Sequence, residues 1–157
     1  MSAPVSQSVE VDASAQAVWA LVSDLESLAA LAEETESMTW VKGDAARPGA
    51  VFTGSNRNGA KSWSTTCTVT DAEPGRRFAF DVRAGPLRIA RWQYDVEPLA
   101  AGASGAGRCR VTESTWDQRP GWFKRPGGWL TGVRDRDAAS REHIATTLAR
   151  LKATAEA

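Results

Sequence analysis

Histidine occurs once in the 157 residues, as His143, and cysteine twice, as Cys67 and Cys109. One imidazole and two separated thiols do not make a tetrahedral zinc site, so no metal or other cofactor is expected. Two cysteines make no disulfide framework either. Both fall inside apolar strand patterns, which suits buried free thiols in a reducing, cytoplasmic compartment. An excess of one charge is also missing, since 19 Lys and Arg balance 19 Asp and Glu. Nucleic acid is therefore not the expected partner, because phosphate recognition wants a basic surplus. No apolar run approaches the ~20 residues of a membrane span, so stable membrane insertion is not expected. The opening MSAPVSQSVEV lacks the basic and apolar regions of a signal peptide. A nucleophile motif such as G-x-S-x-G is absent. The glycines of Ala100–Gly107 lack the strand-to-helix context of a phosphate cradle.

What is present fits one domain over residues 1–157, large enough to fold without staples. SWSTTCTVTDAEPGRRFAFDV (Ser62–Val82) alternates with a period of two. Trp63, Thr65, Cys67 and Val69 face one way, and after Pro74-Gly75 so do Phe78, Phe80 and Val82. The same alternation predicts strands over Ser6–Asp12, Met38–Lys42, Ala50–Arg57, Ile89–Glu97 and Arg108 to about Trp116. Asn58-Gly59 signals a hairpin, Pro74-Gly75 a type II turn and Gly85-Pro86 a further reversal. Ser14 is placed to cap a helix carrying Val18, Leu21, Val22 and Leu25. Ser23–Glu26 has the S-x-x-E form of a capping box, starting a second helix that turns Leu28 and Leu31 inward. From Trp129 to Thr154 a long helix is expected. Its stripe runs Trp129, Val133, Asp137, Ser140, Ile144, Leu148, Leu151. The stripe is polar in its middle, where a fully dry core would not place an aspartate.

One sheet face collects Phe52, Trp63, Cys67, Phe78, Phe80, Trp92, Tyr94 and Val111 and needs a cover. The last helix is the expected cover. The opposite face collects Ser, Thr, Arg, Asp and Glu, and reads as solvated. In this order, the stretches VEVDASAQAVWALVSDLESL, SWSTTCTVTDAEPGRRFAFDV, RWQYDVEP, RVTEST and LARLKA resemble the SRPBCC superfamily of START-like and birch-pollen-allergen-like proteins. Within it the resemblance is to the polyketide cyclase/dehydrase and lipid transport group. That resemblance implies an α+β helix-grip fold. A seven-stranded curved antiparallel sheet, in the order strand, two helices, six strands, helix, would wrap around the C-terminal helix. It also implies a cavity between them, suited to a small hydrophobic molecule such as a lipid, polyketide or aromatic metabolite. Such proteins often carry a Trp-Ser-Pro-like segment after the second helix. LAALAEETES (Leu28–Ser37) stands there instead, so ligand identity does not carry over.

The residues expected to meet a ligand are Phe52, Asn56, Trp63, Cys67, Phe80, Trp92, Tyr94 and Glu113 from the sheet, with Trp129, Val133, Asp137 and Ser140 from the helix. Parity makes Glu113 the one strand carboxylate assigned to the inner face. Burial would raise its pKa and suit it to general acid or base work. Alternatively it bonds a hydroxyl, of Tyr94 or Ser140, and orients the ligand. Tyr94, the single tyrosine, either polarises a ligand carbonyl or is a core aromatic with a satisfied hydroxyl. Asn56 is an inward polar group or a strand-end residue beside the Asn-Gly turn. Asp137 either pairs with Arg141 or points into the cavity. His143 lies at the edge of the stripe with no nucleophile motif to serve. WDQRPGWFKRPGGWL (Trp116–Leu130) reads as an aromatic lid or an exposed contact surface. Three functions stay open. They are ligand binding without catalysis, a polyketide aromatase/cyclase-dehydratase, and a co-chaperone-like interaction module. The chain is expected to act as a monomer or homodimer.

Overall fold

The period-two stretches form strands of one antiparallel sheet. In the computed structural model, which describes residues 4–32, 35–100, 107–119 and 136–157, these are β1 (Val5–Val11), β2 (Thr35–Lys42), β3 (Val51–Asn58), β4 (Lys61–Glu73), β5 (Arg77–Ala84), β6 (Leu87–Leu99) and β7 (Arg108–Asp117). The helices are α1 (Ala15–Val22), α2 (Leu25–Leu31) and α3 (Arg136–Glu156). The sheet order is β1-β7-β6-β5-β4-β3-β2. Strands β2 to β7 form a meander, and β1 returns to pair with β7, Val9 opposite Val111. This is the helix-grip α+β fold. The expected helix start at Trp129 and most of the Ala100–Gly107 loop lie outside the described residues.

Local chemistry sets the reversals. Arg76 N–H donates to Glu73 O at 2.9 Å, and Gly75 has φ of 73°. Those are the bond and the left-handed position of a type II turn with Pro74 leading. The Asn58-Gly59 signal is displaced by one residue. Asn58 still pairs with Lys61, so the two-residue loop is Gly59-Ala60. Within β4 the register shifts between Val69 and Asp71. Thr70 is the extra residue, and Ala72, not Asp71, turns inward opposite Phe78.

Ser14 caps α1, its Oγ accepting from Ala17 N–H at 3.1 Å. The capping-box reading of Ser23 is corrected. Ser23 is still helical (φ −94°, ψ −4°) and closes α1, while Asp24 is extended (ψ 120°) and caps α2. Its carboxylate accepts from Ser27 N–H at 3.0 Å and from Ser27 Oγ at 2.8 Å. An N-cap needs the extended backbone, and a carboxylate there also meets the positive end of the helix dipole.

α3 lies along β1 and touches β7, α1 and α2. Lys152 Nζ donates to Glu10 O at 2.9 Å, Arg150 to Leu31 O at 3.3 Å, and Gln7 Nε2 to Arg141 O at 3.1 Å. Between helix and sheet, Val11, Val18, Val22, Phe78, Val96, Val111, Leu148 and Leu151 fill one end of the interior. The convex face is less simply solvated than its composition suggests. Arg77 pairs with Asp95 at 2.7 Å, and Arg91 donates to Thr70 Oγ1 at 2.7 Å. These long side chains cover the face, and Ala79 on it is fully buried.

Candidate functional site

β7 changes character at Glu113. Its inward residues Cys109 and Val111 are apolar and fully buried, and Glu113, Thr115 and Asp117 follow on the same side. α3 changes at the same level. Leu151, Leu148 and Ile144 are buried, and His143 and Ser140 come next along the helix. Where both elements run out of apolar side chains the filled core stops. A cavity of about 150 Å³ opens between them. An apolar cavity of roughly that volume accepts benzene.

The walls are mainly apolar, with Leu28, Met38, Trp63, Cys67, Phe80, Val82, Ile89 and Trp92 among them. Polar groups gather in two places. At the β2–β4 end, Asn56 Oδ1 accepts from Thr35 Oγ1 at 3.2 Å, and Asn56 Nδ2 donates to Thr65 Oγ1 at 3.3 Å. A Cβ on Gly54 would stand 3.1 Å from that Thr65 oxygen, so glycine leaves this corner open. At the β6–β7–α3 end lie Tyr94, Glu113, Thr115, Asp117, Arg119, Ser140 and His143.

Tyr94 and Glu113 stand directly opposite on β6 and β7. The Tyr94 hydroxyl donates to Glu113 Oε2 at 2.9 Å. Glu113 has no exposed surface, and its Oε1, also buried, has no hydrogen-bond partner among the described residues. Burial pushes the Glu113 pKa up to about 8, against the lowering effect of the Tyr94 hydrogen bond. That direction favours the neutral carboxylic acid at neutral pH. Burial, and then the neighbouring Glu113, hold the Tyr94 hydroxyl well above its ordinary value. Burial likewise pushes the Cys67 thiol up to about 12, which keeps it protonated and unreactive.

Of the residues expected from the sequence, Asn56, Trp63, Cys67, Phe80, Trp92, Tyr94, Glu113 and Ser140 line the cavity. Phe52 does not. It is fully buried behind the wall, edge-on to Trp40 at 5.5 Å and to Phe80 at 5.2 Å. Parity assigns a residue to a face but not to a depth along the strand. Trp129, Val133, the side chain of Asp137 and residues 120–130 of the aromatic segment lie outside the described residues. Glu113 is not the one inward strand carboxylate. β7 runs one residue beyond its expected end, and Asp117 lines the cavity too. It takes Arg119 in a two-point ion pair, from Nε at 3.0 Å and Nη2 at 2.8 Å. The D-x-R spacing was its only signal. His143 is also a lining residue, with its ring edge-on to Trp92 at 5.6 Å. Among the described residues no cluster of His, Cys, Asp and Glu could hold a metal ion. None of the described helices is long and apolar enough to cross a membrane.

Among curated proteins, none shows significant sequence similarity to the chain. Solved structures match it in fold. The Polyketide_cyc-like protein Cgl2372 from Corynebacterium glutamicum is 27% identical with a TM-score of 0.63, over 95% of this chain and 88% of that one. DR_A0006 from Deinococcus radiodurans is 16% identical with a TM-score of 0.67, over 98% of each chain. The di-domain ARO/CYC BexL, from the BE-7585A biosynthetic pathway, is 20% identical with a TM-score of 0.68 over 97% of this chain, which spans 46% of it. At these identities the last two speak for the fold alone. A family model described as polyketide cyclase/dehydrase and lipid transport matches residues 2–156, and the chain belongs to that family.

Proposed function

We propose that the chain binds a small hydrophobic or aromatic molecule in the cavity between sheet and α3. The observation that carries this reading is the cavity itself, with apolar walls and a few convergent polar groups at one end of an otherwise filled interior. In this reading Trp63, Trp92, Phe80 and Cys67 hold the apolar body of the guest, and Tyr94, Glu113 and Ser140 meet its polar end. The chain works as a monomer or homodimer in the cytoplasm, where both buried cysteines stay reduced. Native mass spectrometry of the purified protein tests it, since a co-purifying small molecule is expected. Cys67→Trp, which fills the cavity from its floor, should abolish that adduct and the quenching of tryptophan fluorescence by aromatic probes. Unchanged binding in that variant would move the site elsewhere.

A second reading, polyketide cyclase-dehydratase activity, is favoured by the protonated Glu113 beside Tyr94. An uncharged acid in a dry site can hydrogen-bond a carbonyl oxygen as it gains negative charge during enolisation. Turnover of a poly-β-ketone precursor that is lost in Glu113→Leu, with binding retained, would establish it. The interaction-module reading rests on the aromatic segment whose residues 120–130 lie outside the described ones, and no described feature favours it.

A further inference from the structure

The Glu113–Tyr94 pair holds more hydrogen than it uses. In its neutral form the carboxyl has one acidic proton and the phenol another, and a single bond of 2.9 Å joins them. Whichever of the two donates, one O–H is left over. The bond occupies Glu113 Oε2, and Oε1 of this cavity-lining residue is fully buried without a partner among the described residues. A buried donor with nothing to donate to is destabilising, so such groups are kept where something else completes them. A carboxylate would fare worse. An ionised carboxyl has about four acceptor sites. Here one donor reaches it, and no Lys or Arg pairs with it among the described residues.

We propose that Glu113, in its acid form, is the specificity-determining group of the cavity, and that it selects an uncharged aromatic guest whose carbonyl oxygen accepts the surplus proton of the Glu113–Tyr94 pair. This rests on the reading of the cavity as a ligand site and adds the chemistry of the ligand. An amine guest is the opposite case, because it would ionise Glu113 and pair with it. A hydrocarbon guest would leave the donor unmet. The guest lies with its ring between Trp63, Phe80 and Trp92 and its oxygen toward β7.

Among the described residues, the other ionisable groups facing this space are Tyr94 on β6, Asp117 on β7 with Arg119 just beyond it, Cys67 on β4 and His143 on α3. Of these, Tyr94 and Cys67 stay protonated across the working range. Carbonyl recognition should therefore fail when Glu113 ionises, near pH 8.

The test uses the full chain and three probes of nearly equal size, acetophenone, ethylbenzene and 1-phenylethylammonium, titrated calorimetrically from pH 6 to pH 9.5. Acetophenone is expected to bind roughly tenfold tighter than ethylbenzene at pH 6, with the advantage vanishing above pH 8. Its bound carbonyl stretch should move to lower frequency at pH 6 and return toward the unbound value at pH 9.5. Glu113→Gln keeps a donor that does not titrate, so the preference should persist at pH 9.5. Glu113→Leu should bind both neutral probes alike. If Glu113→Leu does not fold, the infrared pH series on the unaltered chain decides alone. Equal binding of ketone and hydrocarbon at pH 6 overturns this inference and leaves the ligand site standing. Tighter binding of the ammonium probe overturns it in favour of Glu113 as a counter-ion. Binding of none of the three overturns the ligand-site reading and the inference with it.

Discussion

Glu113 would titrate near 4.5 in an unfolded chain and titrates near 8 in the folded one. Between those values the unfolded state has released a proton that the folded state keeps. Folding is then opposed more strongly as pH rises, by an amount on the order of a few kcal/mol across the window. The favourable contribution is complete below about pH 4.5 and gone above about pH 8. Urea denaturation of Glu113→Gln and the unaltered chain at pH 5 and pH 9 should show the variant gaining relative stability at the higher pH. A constant difference would mean that Glu113 is not held neutral. Tyr94→Phe tests the partner. Its hydroxyl lowers the Glu113 pKa, so the variant should carry the decline in stability to higher pH. It should also lose about 1–3 kcal/mol at pH 7, because both carboxyl oxygens are then left without a partner. A carboxyl titration followed by NMR reads the shift. The inward direction of Glu113 and Tyr94 was legible in strand parity. Their bond follows from cross-strand register, which composition does not contain.

The sheet elements were legible because alternation survives sequence noise, and Pro74-Gly75 named its turn type. Three local features were not. The choice of Asp24 over Ser23 as cap depends on which residue leaves the helical region. The β4 bulge at Thr70 inverts parity for the residues after it without any compositional mark. The extra residue of β7 hid Asp117. The cap can be weighed directly: Asp24→Ala should cost about 1 kcal/mol in thermal or urea melts. The junction between α1 and β7 offers a sharper trial. A Cβ on Gly107 would come within 3.0 Å of Ser14 Cα, a backbone atom at the head of α1. Gly107→Ala should therefore destabilise by about 1–3 kcal/mol, while Gly49→Ser, which meets no atom within 4 Å but has φ of 89°, tests backbone strain without crowding. If Gly107→Ala is silent, the close approach of these two elements is not maintained in solution.

For the whole molecule, the interior has a filled end and an open end, and the proposed function assigns stability to the first and binding to the second. Val11, Val18, Val22, Phe78 and Leu151 hold the sheet to its helices at one end, and under the proposed function a guest would complete the other. A ligand at a hundred times its dissociation constant should add about 2.7 kcal/mol, raising the melting temperature by roughly 5–10 °C. The cavity was expected through the family resemblance, and the polar centre of the α3 stripe pointed the same way. Its volume depends on how far apart packed layers stand, and that is not written in a pattern of apolar residues.

One consequence belongs to the moment of synthesis. Ser6 and Ser114, whose hydroxyls meet at 3.0 Å, are 108 positions apart. A ribosome needs about 5–20 s to cover that distance. For that interval the leading strand has emerged without its neighbour, and the greasy concave wall waits uncovered for a helix still inside the exit tunnel. Slow translation should thus favour aggregation of nascent chains here, and chaperones acting at the ribosome should suppress it.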